Sequence, residues 1–250
     1  MIYGLLHPGS GLGNQLHRYV ATRVLSLDKG YEFSMIGTDY FKGTSFMNLD
    51  MGIPTNIIPT VKRPEGKILM GEVWEEGTIY YNPEFNFIED DTIIDGEFQD
   101  ERYFSHRLPS IKQWLDVEYM DMPSDLCVIG FRGGEFYVYP ELGLPNEYFY
   151  DGIRMMKDIN PNMRFEVHTD DEVLAKKFFP HYPIIHDIGI NWRSMRYARF
   201  AIIANSSFYI FPRLLAGTEN CFTIAPRYWA RRNTKEWSMP QNYYKDFTYI

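Results

Sequence analysis

Short continuous apolar runs along this chain are separated by stretches in which apolar residues recur every three or four positions. The first pattern reads as buried strand and the second as amphipathic helix. Ile2 to Leu6 is a short apolar run, broken by Pro8 with Gly9, Gly11 and Gly13. Leu16, Tyr19, Val20, Val24 and Leu27 then follow at helical spacing, and Gly30 supplies the helix stop. Tyr31 to Ile36 predicts the next strand. Residues 37 to 90 scatter aromatics, proline and glycine, and support short strands at best. Thr92 to Ile94 predicts a strand, with helices through Trp114. The polar, proline-marked stretch Met120 to Asp125 is the expected boundary, which divides the chain into residues 1–122 and 123–250.

Beyond that boundary the alternation is regular. Leu126 to Phe131, Arg164 to Thr169, Pro183 to His186, Phe200 to Ala204 and Cys221 to Ala225 predict strands. Arg132 to Gly143 reads as a loop. Helices are expected over Asn146 to Asp158 (with Phe149, Ile153 and Met156 inward), Glu172 to Phe179, Asn191 to Arg199 and Ser206 to Ala216. Strands alternating with helices imply an α/β fold with a parallel sheet, whose ligands bind at the carboxyl ends of the strands. The second half therefore reads as a Rossmann-like, nucleotide-binding domain.

Composition narrows the function classes. Hydrophobic residues make up 45% of the 250, enough for a real core. A net charge of -8 argues against nucleic acid or an anionic membrane as the main partner. No stretch approaches the ~20 apolar residues of a membrane span. Met1 to His7 is too short for a signal peptide, and Cys127 and Cys221 sit in apolar runs as expected free thiols. These features together predict a soluble, cytoplasmic protein.

Four strand ends carry candidate chemistry. Gly9 to Gln15 places glycines between a strand and a helix, which suits a close ligand approach and also describes a plain tight turn. Gly130-Phe131-Arg132-Gly133-Gly134-Glu135 sets an Arg beside open glycines. Its fork of donors matches diphosphate oxygens, or else it pairs with Glu135 on the surface. Thr169-Asp170-Asp171-Glu172 fits a capping box between Thr169 and Glu172, which leaves one Asp to bond a base or ribose. Asn205-Ser206-Ser207-Phe208 puts hydroxyls and amide groups at a helix start, as an anion site or an ordinary cap. The six His show no metal-ligand spacing, although His7, His168 and His186 lie at strand ends. No Gly-x-Gly-x-x-Gly with a downstream acidic partner points to a dinucleotide oxidoreductase.

Taken in order, these segments resemble the alpha-1,2-fucosyltransferase family. Gly11-Leu12-Gly13-Asn14-Gln15-Leu16 is similar to its N-terminal Gly-Asn-Gln motif. Phe46-Met47-Asn48-Leu49 and the run Gly96 to Phe104 are similar to two further segments. Gly130 to Phe136 sits where the family has His-x-Arg-Arg-Gly-Asp-Tyr, with Gly130 in place of the His, Gly133 of the second Arg, Glu135 of Asp and Phe136 of Tyr. Leu144 to Phe149, Phe165 to Asp171, and Met195 through Phe208 continue the colinear match.

The resemblance implies a GT-B fold, two Rossmann-like domains facing a cleft, with an acceptor-side first domain and a nucleotide-sugar-binding second. It implies inverting transfer of fucose from GDP-fucose to a glycan hydroxyl, with no cofactor and no metal. Arg132 and Glu135 would be catalytic. Gly11, Gly13, Asn14, Gln15, Arg132, His168, Asp170, Asn205, Ser206 and Ser207 would bind the nucleotide-sugar. Arg132 and Ser206-Ser207 would hold the departing diphosphate, and Asp170 would read the nucleoside. Glu135, Glu97 and Asp100 are candidate general bases by position alone. The open alternatives are a different nucleotide-activated sugar and a binding-only relative.

Overall fold

The computed structural model describes residues 1–55, 67–70, 72–75, 78–139, 142–216, 221–228 and 244–250. The chain divides into two compact units, one formed by Met1–Asp116 and the other starting at Val117. The division falls before the proline-marked stretch rather than within it. Residues 117–120 are tied to a helix of the second unit: the Tyr197 hydroxyl donates to the Val117 carbonyl at 3.1 Å, and Arg193 pairs with Glu118 at 2.9 Å. The Tyr119 ring also meets the Tyr197 ring edge-on at 5.0 Å.

In the first unit, β1 (Ile2–Leu5) leads into α1 (Leu12–Lys29) and β2 (Phe33–Ile36). Three short strands follow, β3 (Lys67–Met70), β4 (Glu72–Glu75) and β5 (Thr78–Tyr81), then β6 (Thr92–Asp95) and α2 (Leu108–Trp114). The sheet is parallel throughout, in the order β2-β1-β6-β3, while β4 and β5 form a separate antiparallel pair. Both lie in the stretch where periodicity was lost. Leu16, Tyr19, Val20 and Val24 of α1 are buried as their spacing requires, but Leu27 is exposed. The helix is ~27 Å long against ~13 Å for a strand of four residues, so its last turn overhangs the sheet. Gly30 ends it with a left-handed φ of 70°, the stop expected there.

One buried group of α1 carries a pH dependence. His17 is fully buried, with Nδ1 bonded to the Gly13 carbonyl at 2.8 Å and its ring against Phe104. Burial lowers the imidazole pKa to about 4, against the opposing pull of that carbonyl. The unfolded chain takes up this proton below ~6.5 and the folded chain resists until about 4. His17 thus removes stability as pH falls through that window, by up to ~3 kcal/mol. We expect urea unfolding at pH 7 and pH 4.5 to show a smaller acid loss in His17→Leu than in the wild type. Equal losses would refute the assignment.

The second unit runs β7 (Leu126–Phe131), α3 (Glu135–Val138), α4 (Asn146–Ile159), β8 (Arg164–Thr169), α5 (Glu172–Phe178), β9 (Ile184–Ile185), α6 (Ile188–Tyr197), β10 (Phe200–Ile203), α7 (Ile210–Leu215), β11 (Phe222–Ala225) and β12 (Thr248–Tyr249). Its six strands are all parallel, in the order β12-β11-β10-β7-β8-β9. Every residue of β7 is buried, as befits a central strand covered on both faces. Phe149, Ile153 and Met156 of α4 face inward as expected. Together the two units give a mixed α/β architecture of Rossmann-like type.

Several boundaries differ from expectation for local reasons. The sequence places α6 at Asn191, but it starts at Ile188 because Asp187 accepts from the Ile190 amide at 2.7 Å. The expected helix from Ser206 splits into a 3-10 turn, Ser207–Tyr209, and α7. Started at Ser206, the helix would bury Pro212 in its interior and lose a backbone bond; started at Ile210, the proline falls in the first turn. Arg213 of α7 is buried and donates to the Met195 and Ala198 carbonyls, both at 2.8 Å, closing the carboxyl end of α6. Cys127 is buried, Cys221 is partly exposed, and both are free thiols. Among the described residues no helix is long and apolar enough to cross a membrane.

Candidate functional site

The strand order of the second sheet reverses between β7 and β10. From β7 the chain winds outward through β8 to β9, and from β10 it winds the other way through β11 to β12. A crevice opens at the carboxyl ends of two strands where such a reversal occurs, and there parallel α/β sheets take their ligands. β7 delivers Arg132 to this point and β10 delivers Asn205 and Ser206.

Arg132 is the centre of the arrangement. Its guanidinium forms an ion pair with Asp170 from the end of β8, a weaker one with Glu135 at 3.3 Å, and lies 5.2 Å over the Phe136 ring. Its Nε is buried and makes no hydrogen bond among the described residues. Gly133 N donates to Asp170 at 2.8 Å and Gly134 N to Asp171 at 3.1 Å. The Gly134 backbone, at φ 54° and ψ -127°, belongs to a region only glycine enters freely. Two successive amides and a guanidinium therefore converge on one strand end, and each holds a carboxylate of the chain itself. That is the donor set an anionic ligand needs. The loop expected after Arg132 contains one helical turn, α3.

Two glycines here are sterically fixed. A Cβ on Gly130 would lie 2.7 Å from the Tyr209 ring and 2.8 Å from the Met195 methyl, and one on Gly133 would lie 2.4 Å from the Asp171 Cβ. Tyr209 is buried, and burial raises its phenol pKa.

The acidic run is wired differently from the expected capping box. Asp171 caps α5 by accepting from the Leu174 amide at 2.9 Å, a bond that holds its carboxyl below the usual range with help from Gly134 N. Thr169 Oγ1 accepts from Asp171 N at 3.0 Å, and Glu172 pairs with Lys176 on the surface. A cap three residues before Leu174 wins over one three before Glu172 because the helix starts later. The Asp expected to be free, Asp170, is bonded to Arg132 and Gly133.

Other expected binding residues are structural. His168 is fully buried, with Nδ1 on Asn191 Oδ1 at 2.9 Å and Nε2 on Glu166 at 2.8 Å. The bond to His168 holds the Glu166 carboxyl below its ordinary range. Asn191 also donates to the Thr169 carbonyl at 3.1 Å, so His168 steadies the end of β8 from within and presents nothing to a ligand. Asn205 is only 1% exposed and donates to the Leu142 carbonyl at 2.9 Å. Ser206 Oγ accepts from Phe208 N, and half-buried Ser207 opens the 3-10 turn. The six-residue α7 starts too late to offer its amides to a ligand at Ser206.

In the first unit, Gly11 caps α1 without a side-chain bond and Gly13 is buried inside it. Gln15 is buried and spans the Tyr40 carbonyl at 2.7 Å and Lys42 N at 3.0 Å, so it anchors a loop rather than a ligand. Asn14 Oδ1 accepts from Gln99 at 3.2 Å. Arg18, which pattern reading passed over as a helix residue, is buried and fastens two loops. It donates to Ser10 Oγ at 2.8 Å, to the Gly96 carbonyl at 2.8 Å and to Glu97 at 2.7 Å. Asp100 is engaged by Arg102 through both oxygens, at 2.8 and 2.6 Å. Both oxygens of Asp100 are thereby taken, whereas Arg18 engages only Oε1 of Glu97 and its buried Oε2 makes no hydrogen bond among the described residues.

Of the expected residues, the structure brings Arg132, Glu135 and Asp170 together and leaves His168, Asn205, Ser206 and Gln15 in supporting roles. Among the described residues no three His, Cys, Asp or Glu side chains are grouped so as to hold a metal ion. No protein-family model matches this chain and no curated protein matches it.

Proposed function

We propose that this chain is an inverting glycosyltransferase that takes its sugar from a nucleotide-activated donor. The observation that supports it is the convergence of Arg132 with the Gly133 and Gly134 amides at the strand-order reversal of a parallel sheet. A nucleoside diphosphate is an anion of the size and charge that such donors match. Asp170 holds Arg132 at the strand end in the free protein. When the diphosphate arrives, the guanidinium turns to it, and the released Asp170 accepts from nucleoside hydroxyls. Bond breaking places charge on the departing diphosphate, and Arg132 stabilises that charge without a metal. The resemblance to alpha-1,2-fucosyltransferases makes GDP-fucose the first donor and a glycan hydroxyl the acceptor.

A second reading has one observation in its favour. Positions 130 and 133, where that resemblance has His and Arg, are closed to side chains by Tyr209, Met195 and Asp171. A chain that has lost both groups would bind the nucleotide-sugar without turning it over.

Thermal unfolding with GDP, UDP, CDP, ADP and dTDP, without and with EDTA, separates these readings from the rest. At a hundred times its Kd a ligand adds ~2.7 kcal/mol to stability, which corresponds to a rise of ~5 °C or more in Tm. We expect GDP to give this rise with EDTA present. A rise with another nucleotide changes the donor, and no rise with any of them refutes the nucleotide site. Binding without release of GDP from GDP-fucose selects the second reading.

A further inference from the structure

The strands of the second sheet have another end. Arg132 and Asp170 stand just past the carboxyl ends of β7 and β8, whereas β8 begins at Arg164, ~20 Å away at ~3.3 Å per residue. Beside that amino end, α4 and the chain leaving α5 enclose a cavity of about 500 Å³. Tyr150, Arg154 and Lys157 recur at helical spacing on the exposed side of α4 and form one wall. Phe178, His181 and Tyr182 form the other. A second hollow, of about 580 Å³, continues past Lys157, His181 and Tyr182 to the start of β8. Each has the size of a small-molecule site, roughly 300–1,000 Å³.

Polar groups meet at the junction of the two hollows. Lys157 holds its ammonium 5.9 Å over the Phe165 ring and pairs with no carboxylate among the described residues. The carboxylates nearby are already engaged. Both oxygens of Asp125 accept from Arg164, at 2.9 and 2.7 Å, and Glu166 is bonded to His168 at 2.8 Å. Arg154 pairs with Asp151 at 2.9 Å, and Asp158 adds one acceptor to the α4 wall. The Tyr182 ring is fixed against Phe165 at 5.5 Å and Phe179 at 6.5 Å. Its hydroxyl makes no hydrogen bond among the described residues. Burial and the neighbouring Tyr150 phenol raise the Tyr182 pKa, so that O–H stays a donor.

These features select a ligand. Aromatic rings with polar tips offer an apolar face edged by hydrogen-bonding groups. A pyranose is complementary, since C–H bonds cover one of its faces and hydroxyls its rim. Lys157 calls for one negative charge beside that ring. A single carboxylate suits it better than a phosphate dianion, because α4 and α5 both end beside the hollow and helix carbonyl ends repel excess negative charge. Two adjoining hollows hold more than one ring. We infer that the amino end of the second sheet binds an oligosaccharide of acidic sugars, with one ring against Tyr150 and Tyr182 and its carboxylate on Lys157. The site lies wholly within the second unit and does not depend on the nucleotide reading.

Calorimetry on the full chain at pH 7, with trigalacturonate and its methyl ester, tests this. The ester keeps the rings and hydroxyls and carries no charge. The acid is expected to bind ~10-fold more tightly than the ester, as a charge-assisted bond exceeds a neutral one. Lys157→Met keeps the apolar stem and should bring the acid down to the affinity of the ester, with the ester unchanged. Tyr150→Ala should weaken both ligands ~10-fold. Both side chains are exposed, so the melting curves of the variants should match that of the wild type. Failure of both ligands to bind at millimolar concentration overturns the inference. So does an acid that binds no more tightly than the ester, or one whose affinity Lys157→Met leaves intact. Sodium phosphate that competes as well as the acid overturns it too, because the site would then read charge alone. The Tm rise with GDP is measured separately, and its absence from the wild type bears on the nucleotide site alone.

Discussion

Arg132→Ala is expected to lower kcat for GDP release from GDP-fucose by ~10²–10³-fold, the effect of removing one donor aimed at developing charge. The expectation follows from where the side chain stands. Its guanidinium is at the end of the central strand, and its partners Asp170 and Glu135 are half-exposed or exposed. A ligand anion therefore displaces them without stranding a buried charge. For the same reason the variant should fold normally. Partly exposed ion pairs of this type contribute ~0–1 kcal/mol, and Asp170 keeps its bond from Gly133 N. The measurement is initial GDP release beside a melting curve. Near-wild-type turnover would remove Arg132 from the chemistry, and a large fall in Tm would mean that the residue is structural. Arg132→Lys separates charge from shape, since Lys keeps the charge and loses the fork that spans two phosphate oxygens.

Phe131→Ala, one residue earlier, should instead act on stability, at a cost of ~3–5 kcal/mol. The ring is fully buried and is met by those of Tyr137, Phe149, Phe178 and Phe179 at 5.6, 5.6, 5.1 and 5.5 Å. Those partners come from α3, α4 and α5 or its end, so one truncation leaves three elements facing a void. Each aromatic pair lost adds to the transfer and cavity cost. Tm should fall by ~6–20 °C, at the slope typical of chains this long. Phe131→Leu keeps most of the volume and should cost much less. A loss below ~1 kcal/mol for the alanine variant would show that the neighbouring rings collapse into the space. Since Phe131 carries Arg132 on its carboxyl side, the alanine variant should also loosen the candidate site.

The second unit was legible in the sequence because its strands are buried on both faces. Leu126 to Phe131 and Phe200 to Ile203 are unbroken apolar runs, and α4 carries a clear helical period between them. Residues 37 to 90 were opaque for the opposite reason. β3, β4 and β5 are four residues each, too short for alternation to register. Local signals also competed: Thr169 and Asp171 are both good caps, and only the start of α5 decides between them. The site was legible to the extent that it lies at strand ends. Arg132 and Asp170 could be named singly, but their pairing joins positions 38 residues apart. Arg18 with Glu97 spans 79 residues and His7 with Asp95 spans 88. Register between parallel strands creates the first and last of these meetings and the packing of α1 the other, and no spacing along the chain encodes either. His168 misled for a related reason, since a polar residue at a strand end can face the crevice or the interior, and β8 turns it inward.

The closeness of Gly130 to Tyr209 also constrains the order in which this sequence can change. A side chain at position 130 meets a packed ring and a methionine methyl at contact distances no Cβ tolerates, so that change made first costs overpacking strain in the centre of the sheet. If position 209 shortens first, the cost is a cavity, which a new residue at 130 can then fill. The two steps are therefore not interchangeable: a larger residue at 130 costs less in a background already altered at 209, where only the flexible end of Met195 has still to move aside. Without that first step, any advantage a side chain at 130 brings to the site has to outweigh the strain of displacing a packed ring.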